Sequence, residues 1–163
     1  MTLMRTFISI LLFVALCSAC VKKPTTSPVP KIWYDSFKAW RVNNSDTAVM
    51  VLGYEDGDGD IFRDQTSHGP NLIGTFYYLN SVTKKFTAIK DHITNDTARI
   101  TQTILQPVDA GYKGKSVQGK IYLPMSEFRS GDSVKIFMYH FFIEDEAGHK
   151  SNLISTDTLK VNF

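Results

Sequence analysis

The sequence predicts an all-β protein, an antiparallel β-sandwich of immunoglobulin-like type with about seven to eight strands. Three observations predict this fold. After residue 31, apolar and polar residues alternate in short runs, the runs are rich in Tyr, Phe, Val, Ile and Thr, and Gly, Asn, Asp or Pro separate them. No run sustains apolar residues at helical spacing, so helices are expected only as short turns. Closely spaced strands without intervening helices favour the sandwich, with a small closed barrel as the alternative.

Eight segments carry a usable strand signal. They are Ile32–Arg41, Thr47–Tyr54, Leu72–Leu79, Lys85–Lys90, Arg99–Gln106, Val117–Leu123, Val134–Ile143 and Asn152–Val161. The seventh is largely apolar on both faces, which is typical of a central strand. It contains His140, which we interpret as a structural side chain rather than a ligand.

The first twenty residues have the layout of an export signal. Arg5 precedes an apolar run that is too short to span a bilayer, and small residues then lead to Cys20. The tripeptide before Cys20 resembles a bacterial lipobox, although Cys17 stands where an aliphatic residue is usual. We predict residues 1–19 as a lipoprotein signal peptide and Cys20 as the lipidated N-terminus, with an ordinary secretory signal as the alternative. Acyl chains on Cys20 would tether the protein to a membrane without a spanning segment.

The residues after Cys20 bear on the location of the protein. The likeness to bacterial lipoproteins implies outer-membrane sorting, because Val21 stands where retention in the inner membrane typically requires Asp; the side on which the protein faces, periplasm or cell surface, is left open. Residues 20–31 contain three prolines among threonines and a serine, which favours a flexible, extended tether. Residues 32–163 are then predicted to form a single sandwich domain.

The composition argues against several classes of function. Eighteen Lys and Arg against sixteen Asp and Glu give a formal charge of +2, too small to indicate a nucleic-acid partner. Both cysteines, Cys17 and Cys20, lie at the N-terminus, so the predicted domain has no thiol for catalysis or metal binding. Neither a Gly-x-Ser-x-Gly nor a His-Glu-x-x-His motif occurs. The chain is therefore predicted not to be an enzyme, with a carboxylate-dependent glycan hydrolase as a remote alternative.

The acidic loop after the second strand is the feature most suggestive of chemistry. Asp56, Asp58 and Asp60 alternate with glycines that let a loop curl, so that their carboxylates can converge on a cation. Oxygen ligands suit a hard ion, and calcium is the first candidate. The loop is not an EF-hand, because Ile61 stands where that motif needs Gly and Ser67 where it needs Glu. The alternative is a turn with solvated carboxylates and no metal.

A second loop supplies a candidate fourth ligand. In an immunoglobulin-like topology, the loop after the second strand and the loop of the last hairpin lie at the same end of the sandwich. Asp145 or the neighbouring Glu144 could then complete a site with the three aspartates, and Asp145 is the ligand we predict. The alternative is that Asp145 satisfies backbone groups in a tight turn at Gly148.

These loops resemble those of a family of uncharacterised Bacteroidetes lipoproteins. The family's Asp-Gly-Asp-Gly-Asp-Ile loop is intact here as residues 56–61, followed by Phe62 where the family tends to have Gly. Its Asp-x-Ala-Gly-Asn-x-Ser-Asn turn is present as residues 145–152, with His149 replacing Asn. Residues 114–121 are similar to the family's Gly-containing strand before the last hairpin. The resemblance implies an immunoglobulin-like lipoprotein without an assigned activity.

Four Asp-Ser/Thr-aliphatic triplets look like the O-glycosylation acceptor of exported proteins from the same bacterial group. The acceptor hydroxyls would belong to Thr47, Thr97, Ser133 and Thr158. Because Asp-Thr also begins strands after turns, a purely structural role is the alternative.

Taken together, these features predict a non-catalytic, membrane-anchored binding or assembly module with a calcium-stabilised loop end and a protein or glycan partner. The alternative is a structural cell-envelope lipoprotein without metal. It would use a sheet face bearing Trp33, Trp40, Tyr77 and Tyr78 against a protein or glycan, and packing in the core is the other role open to these aromatics.

Overall fold

In a computed structural model of the chain, the described residues are 26–163, apart from 65, 67, 68, 92, 108–110, 127, 130 and 132. The predicted signal peptide, Cys20 and the first part of the tether lie outside the described residues, as does Ser67. Within the described part, nine strands form two antiparallel sheets, which confirms the predicted all-β sandwich. None of the described segments is a helix long and apolar enough to cross a membrane.

The strands agree closely with the predicted segments. They are β1 (Lys31–Val42), β2 (Ser45–Asp56), β3 (Leu72–Leu79), β4 (Phe86–Ala88), β5 (Arg99–Gln102), β6 (Val117–Ser126), β7 (Ile136–Ile143), β8 (Ile154–Ser155) and β9 (Leu159–Lys160). One sheet has the order β1-β2-β6 and the other β4-β3-β7-β8, with β5 pairing with β3 and β9 with β7. This order corresponds to strands A-B-E facing C′-C-F-G of an immunoglobulin-like sandwich.

The core lies between the inner faces of the two sheets. Apolar residues at alternate positions of β2 and β7 point inward, because successive side chains of a strand face opposite sides. Met50 and Leu52 of β2 meet Phe137, Tyr139 and Phe141 of β7, and all five are fully or almost fully buried. The prediction that the seventh segment is a central strand is confirmed, because β7 pairs with β3 on one side and with β8 and β9 on the other.

Two predicted strands differ from the structure because a side chain replaces a backbone partner. The predicted eighth strand is two short strands, since the Thr156 hydroxyl between them accepts the hydrogen bond of the Tyr139 N–H at 3.0 Å. The fifth strand ends at Gln102 rather than Gln106. There the Ile104 N–H donates to the Asn71 side chain at 2.7 Å instead of to a neighbouring strand.

A β-bulge at Asp35 determines which face of the first sheet carries the tryptophans. Tyr34 pairs with Leu52 but Ser36 pairs with Val51, so Asp35 is an extra residue. The extra residue reverses the alternation of β1. Trp33 and Trp40, seven positions apart, therefore share the outer face and are both exposed.

The four aromatics proposed as one sheet face are divided between the two sheets, so that prediction was wrong. Trp33 and Trp40 belong to β1, whereas Tyr77 and Tyr78 are consecutive residues of β3 and point to opposite faces. Tyr78 packs against the core. Tyr77 contacts the His140 ring at 4.5 Å between centroids on the outer side, a structural contact for that histidine.

Candidate metal site at the loop end

Three aspartates converge where β2 ends. Asp56 is the last residue of β2, and Asp58 and Asp60 follow it in the loop. One carboxylate oxygen of each lies within 4.8 Å of those of the other two. Asp56 and Asp60 are buried and Asp58 is half-buried. The three aspartates predicted from the sequence are thus brought together in a group that could hold a metal ion.

Each of these carboxylates keeps one oxygen without a partner. The Oδ1 atoms of Asp56, Asp58 and Asp60 are buried and accept no hydrogen bond from the described residues. The Oδ2 atoms of Asp56 and Asp60 are used differently, because they accept from the Ile61 N–H at 3.1 Å and the Ala147 N–H at 3.2 Å. Buried polar atoms are almost always paired, and leaving one unpaired costs about 1–3 kcal/mol or more for a charged group. A cation bound among the three carboxylates would offer these oxygens a partner.

The electrostatics of the metal-free site oppose ionisation. Burial raises the pKa of Asp60 to about 6, and the negative charge of Asp145 adds to this shift. Burial also raises the pKa of Asp56, with the charge of Asp58 as the next cause. A metal ion would reverse the balance, because it favours the charged form of every carboxylate that it contacts.

Two glycines let the loop pack against its neighbours. A Cβ at Gly57 would collide with the backbone carbonyl of Ser27, and one at Gly59 with that of Tyr112. Gly59 also has φ of 73°, a conformation that suits glycine. The Gly114 N–H donates to the Asp58 carbonyl at 2.5 Å, which fixes the loop from the other side.

The turn between β7 and β8 lies against the acidic loop, at the same end of the sandwich. The Glu146 N–H donates to the Asp60 carbonyl at 3.1 Å. Asp145 is completely buried, but its carboxylate accepts from the His149 N–H at 2.7 Å and contacts His149 Nδ1 at 2.9 Å. Asp145 is not a member of the converging group. The described contacts of its side chain are those of a turn-stabilising residue at Gly148.

Asn71 is a central residue of this end that the sequence did not single out. It is completely buried; its Oδ1 accepts from the Ile104 N–H at 2.7 Å and its Nδ2 donates to the Ile61 carbonyl at 2.9 Å. Its backbone carbonyl accepts from the Glu144 N–H at 2.8 Å. Asn71 thereby ties the acidic loop to both neighbouring segments. A lone Asn before a strand is typical of an ordinary turn, so the sequence contains no signal that separates Asn71 from other turn residues.

The four predicted acceptor hydroxyls lie in different surroundings. Ser133 and Thr158 are exposed. Thr97 is half-buried, with its hydroxyl 3.4 Å from Lys90 Nζ. Thr47 is half-buried within β2, between β1 and β6.

A cavity of about 380 Å³ opens between the two sheets, at the side formed by β5 and β6. Phe76, Ile100 and Met125 line it together with Arg99, and none of its lining residues within the described part is Asp or Glu. The acidic loop is not part of this cavity. Among the described lining residues there is thus no carboxylate pair of the kind that a glycan hydrolase uses.

Comparisons with known proteins add nothing to these observations. No family model, no curated protein and no solved structure matches the chain.

Proposed function

We propose that the protein is a non-catalytic outer-membrane lipoprotein, a binding or assembly module of the cell envelope whose loop end is stabilised by calcium. The calcium site depends on one observation, the three buried Oδ1 atoms of Asp56, Asp58 and Asp60, which lack partners among the described residues. The lipid anchor is supported by the lipobox-like residues before Cys20.

The ligand atoms favour calcium over other common ions. The group contains carboxylates alone, which disfavours zinc and copper. Magnesium requires a near-ideal octahedron, whereas calcium accepts six to eight oxygens in irregular geometry. The three carboxylates supply about half of that number, and the half-buried Asp58 leaves room for water to supply others.

The partner would contact the outer face of the first sheet. Trp33, Trp40 and Tyr122 are exposed large side chains of β1 and β6. Trp33 and Trp40 share this face because Asp35 shifts the register of β1, and Tyr122 lies on it opposite Val51 of β2. Exposed aromatics are typical of contacts with protein or glycan, because they supply a large apolar surface that is already rigid.

The second candidate is a structural lipoprotein without metal. It is favoured by the contacts that already hold the loop end, namely the Asp145–His149 contact at 2.9 Å and the Lys113–Glu146 ion pair at 2.7 Å.

Thermal unfolding with calcium or with chelator separates the two candidates. A ligand that binds only the folded state at 100 times its Kd stabilises that state by about 2.7 kcal/mol, so we expect a melting temperature several degrees higher with calcium. Asp58→Asn should abolish the shift, and Asp157→Asn, at an exposed aspartate in the β8–β9 connection, should retain it. An unchanged melting temperature at millimolar calcium would favour the metal-free candidate.

The lipid anchor is tested by radiolabelled palmitate. We expect the label to be incorporated into the wild-type chain and to be lost in Cys20→Ser.

A further inference from the structure

We propose that the loop end of the sandwich faces an anionic lipid surface, which it contacts through a patch of lysines and exposed aliphatic residues. The inference rests on the proposed lipidation of Cys20. The lipid-facing patch consists of Val29, Lys31, Lys113, Lys115, Lys150 and Leu153.

The start of the described chain places this end near the anchor. Thr26 follows Cys20 by six residues, and six extended residues span at most about 20–22 Å. Thr26 is held at the loop end, because its hydroxyl lies 2.7 Å from that of Ser116 and its carbonyl packs on Gly57. An acyl chain on Cys20 would therefore keep the acidic loop within about 20 Å of the lipid.

The opposite end of the sandwich is much farther from the anchor. β3 runs from the loop end to the β3–β4 hairpin, which contains Val82. Its eight residues, at about 3.4 Å each, separate the two ends by about 27 Å. The tether is therefore too short for the domain to stand on its opposite end, and the charges and apolar side chains near the anchor favour the loop end over a side of the sandwich.

At this end the lysines protrude farther than the glutamates they pair with, and Asp64 is exposed beside Lys113. Lys113 and Glu146 form an ion pair in which the lysine side chain is 77% exposed and the glutamate 21%. The lysine is also the more exposed partner in the ion pairs of Lys31 with Glu55 and of Lys150 with Glu144. Lys115 is exposed as well, whereas Asp56 and Asp60 are buried behind this layer. Protruding lysines complement anionic headgroups, and calcium in the acidic loop would neutralise the charge behind them.

Two exposed aliphatic side chains lie among these lysines. The side-chain amide of Asn152 accepts from the Ile32 N–H and donates to the Ile32 carbonyl, both at 2.9 Å. These bonds bring Leu153, 64% exposed, next to the segment that contains Val29 and Lys31. Aliphatic side chains bordered by lysines are typical of surfaces that lie in the membrane interface.

The test uses the lipidated full chain in vesicles of phosphatidylglycerol and phosphatidylcholine, with a fluorophore on Lys115→Cys or, as a matched control, on Val82→Cys. The fluorophore is quenched by nitroxide lipids labelled at the headgroup. We expect at least threefold stronger quenching at position 115 than at 82. The difference should decrease on phosphatidylcholine alone and in Lys31→Gln/Lys150→Gln. It should persist in Lys84→Gln/Lys85→Gln, which removes two lysines from the far end.

Equal quenching at the two positions would overturn the proposal. A difference that is unaffected by lipid charge and by the Lys31 and Lys150 substitutions would also overturn it, because the tether alone would then explain the orientation. A chain that fails to float with the vesicles would instead refute the lipid anchor of the proposed function. Failure of the calcium site is measured separately, by the melting temperature in calcium and in chelator.

Discussion

The indole ring of Trp33 lies over Gly53 on the outer surface of the first sheet. The two residues are opposite each other in the β1–β2 pair, and the ring occupies the space that a side chain at position 53 would need. Gly53 is buried although it points outward, because Trp33 covers it. The contact orders an exposed tryptophan without removing it from solvent.

Replacing Gly53 by Ala should therefore displace Trp33. A methyl group there collides with three atoms of the indole ring, and we expect a loss of about 1–3 kcal/mol in the free energy of unfolding, together with a shift in tryptophan fluorescence. Urea denaturation measures the first quantity. Gly111→Ala is the control, since a Cβ at Gly111 meets no atom within 4 Å. Equal effects of the two substitutions would contradict the packing, and Trp33→Ala should reduce the cost of Gly53→Ala.

The ion pair of Asp46 should contribute far more stability than that of Asp35. Asp46 accepts from Arg129 Nε at 2.5 Å and Arg41 Nε at 2.7 Å, and the Arg129 side chain is almost fully buried. Asp46→Ala leaves a buried guanidinium without this partner, which costs about 3 kcal/mol. Asp35→Ala removes an exposed pair with Lys120, which costs less than about 1 kcal/mol. Chemical denaturation of both variants measures the difference, and similar costs would contradict it.

The same contacts predict that the free energy of unfolding decreases at acid pH, which we call the acid limb of the stability profile. Hydrogen bonds from Arg129, and then Arg41, lower the pKa of Asp46 from 3.8 to about 2. The folded state therefore binds this proton less readily than the unfolded state, so the stabilisation is present above pH 3.8 and is lost as the pH falls through 2. Asp46→Asn should flatten this limb in denaturation curves between pH 4 and 2, whereas an unchanged limb would point to other carboxylates.

The sequence predicted the strands well because alternation and turn residues are local signals. It also predicted the convergence of Asp56, Asp58 and Asp60, since three carboxylates on a glycine-containing loop of five residues have few other arrangements. The sequence could not predict the bulge at Asp35, because the register shift depends on pairing with β2. The sequence could not predict the contacts of Asp145 and Asn71 either, because they depend on which backbone groups the folded chain brings near these side chains.

Without metal, stability should fall as the pH rises through 6. Burial, with the charge of Asp145 as the next cause, raises the pKa of Asp60 from 3.8 to about 6, so between these values the folded state binds the proton more readily than the unfolded state. The stabilisation is complete below pH 3.8 and is lost above 6, on the order of 2 kcal/mol. Denaturation in chelator from pH 4.5 to 7.5 measures it.

Calcium should reverse the fall in stability with rising pH, because a metal ion binds the ionised carboxylates. Asp60→Asn should remove most of the metal-free slope, while Asp157→Asn should leave it unchanged. A metal-free protein with constant stability across this range would contradict the buried, mutually repelling carboxylates.

Asn71→Ala should weaken both the fold and the calcium site. The substitution leaves the buried Ile104 N–H and Ile61 carbonyl without the partners that Asn71 supplies, which costs about 2–4 kcal/mol in the free energy of unfolding. Because Ile61 directly follows Asp60, the loop loses a contact that positions Asp60, and we expect several-fold weaker calcium binding by isothermal titration calorimetry.

Asn80→Ala is the matched control for Asn71→Ala. The Asn80 side chain accepts from the Val82 and Thr83 N–H groups, each at 2.9 Å, in the hairpin at the far end of the sandwich. Those N–H groups are exposed and can bond to water, so the cost should be about 1 kcal/mol, without an effect on calcium binding. If the two alanine variants were equally stable and bound calcium equally well, Asn71 would not be the residue that ties the loop to the sandwich.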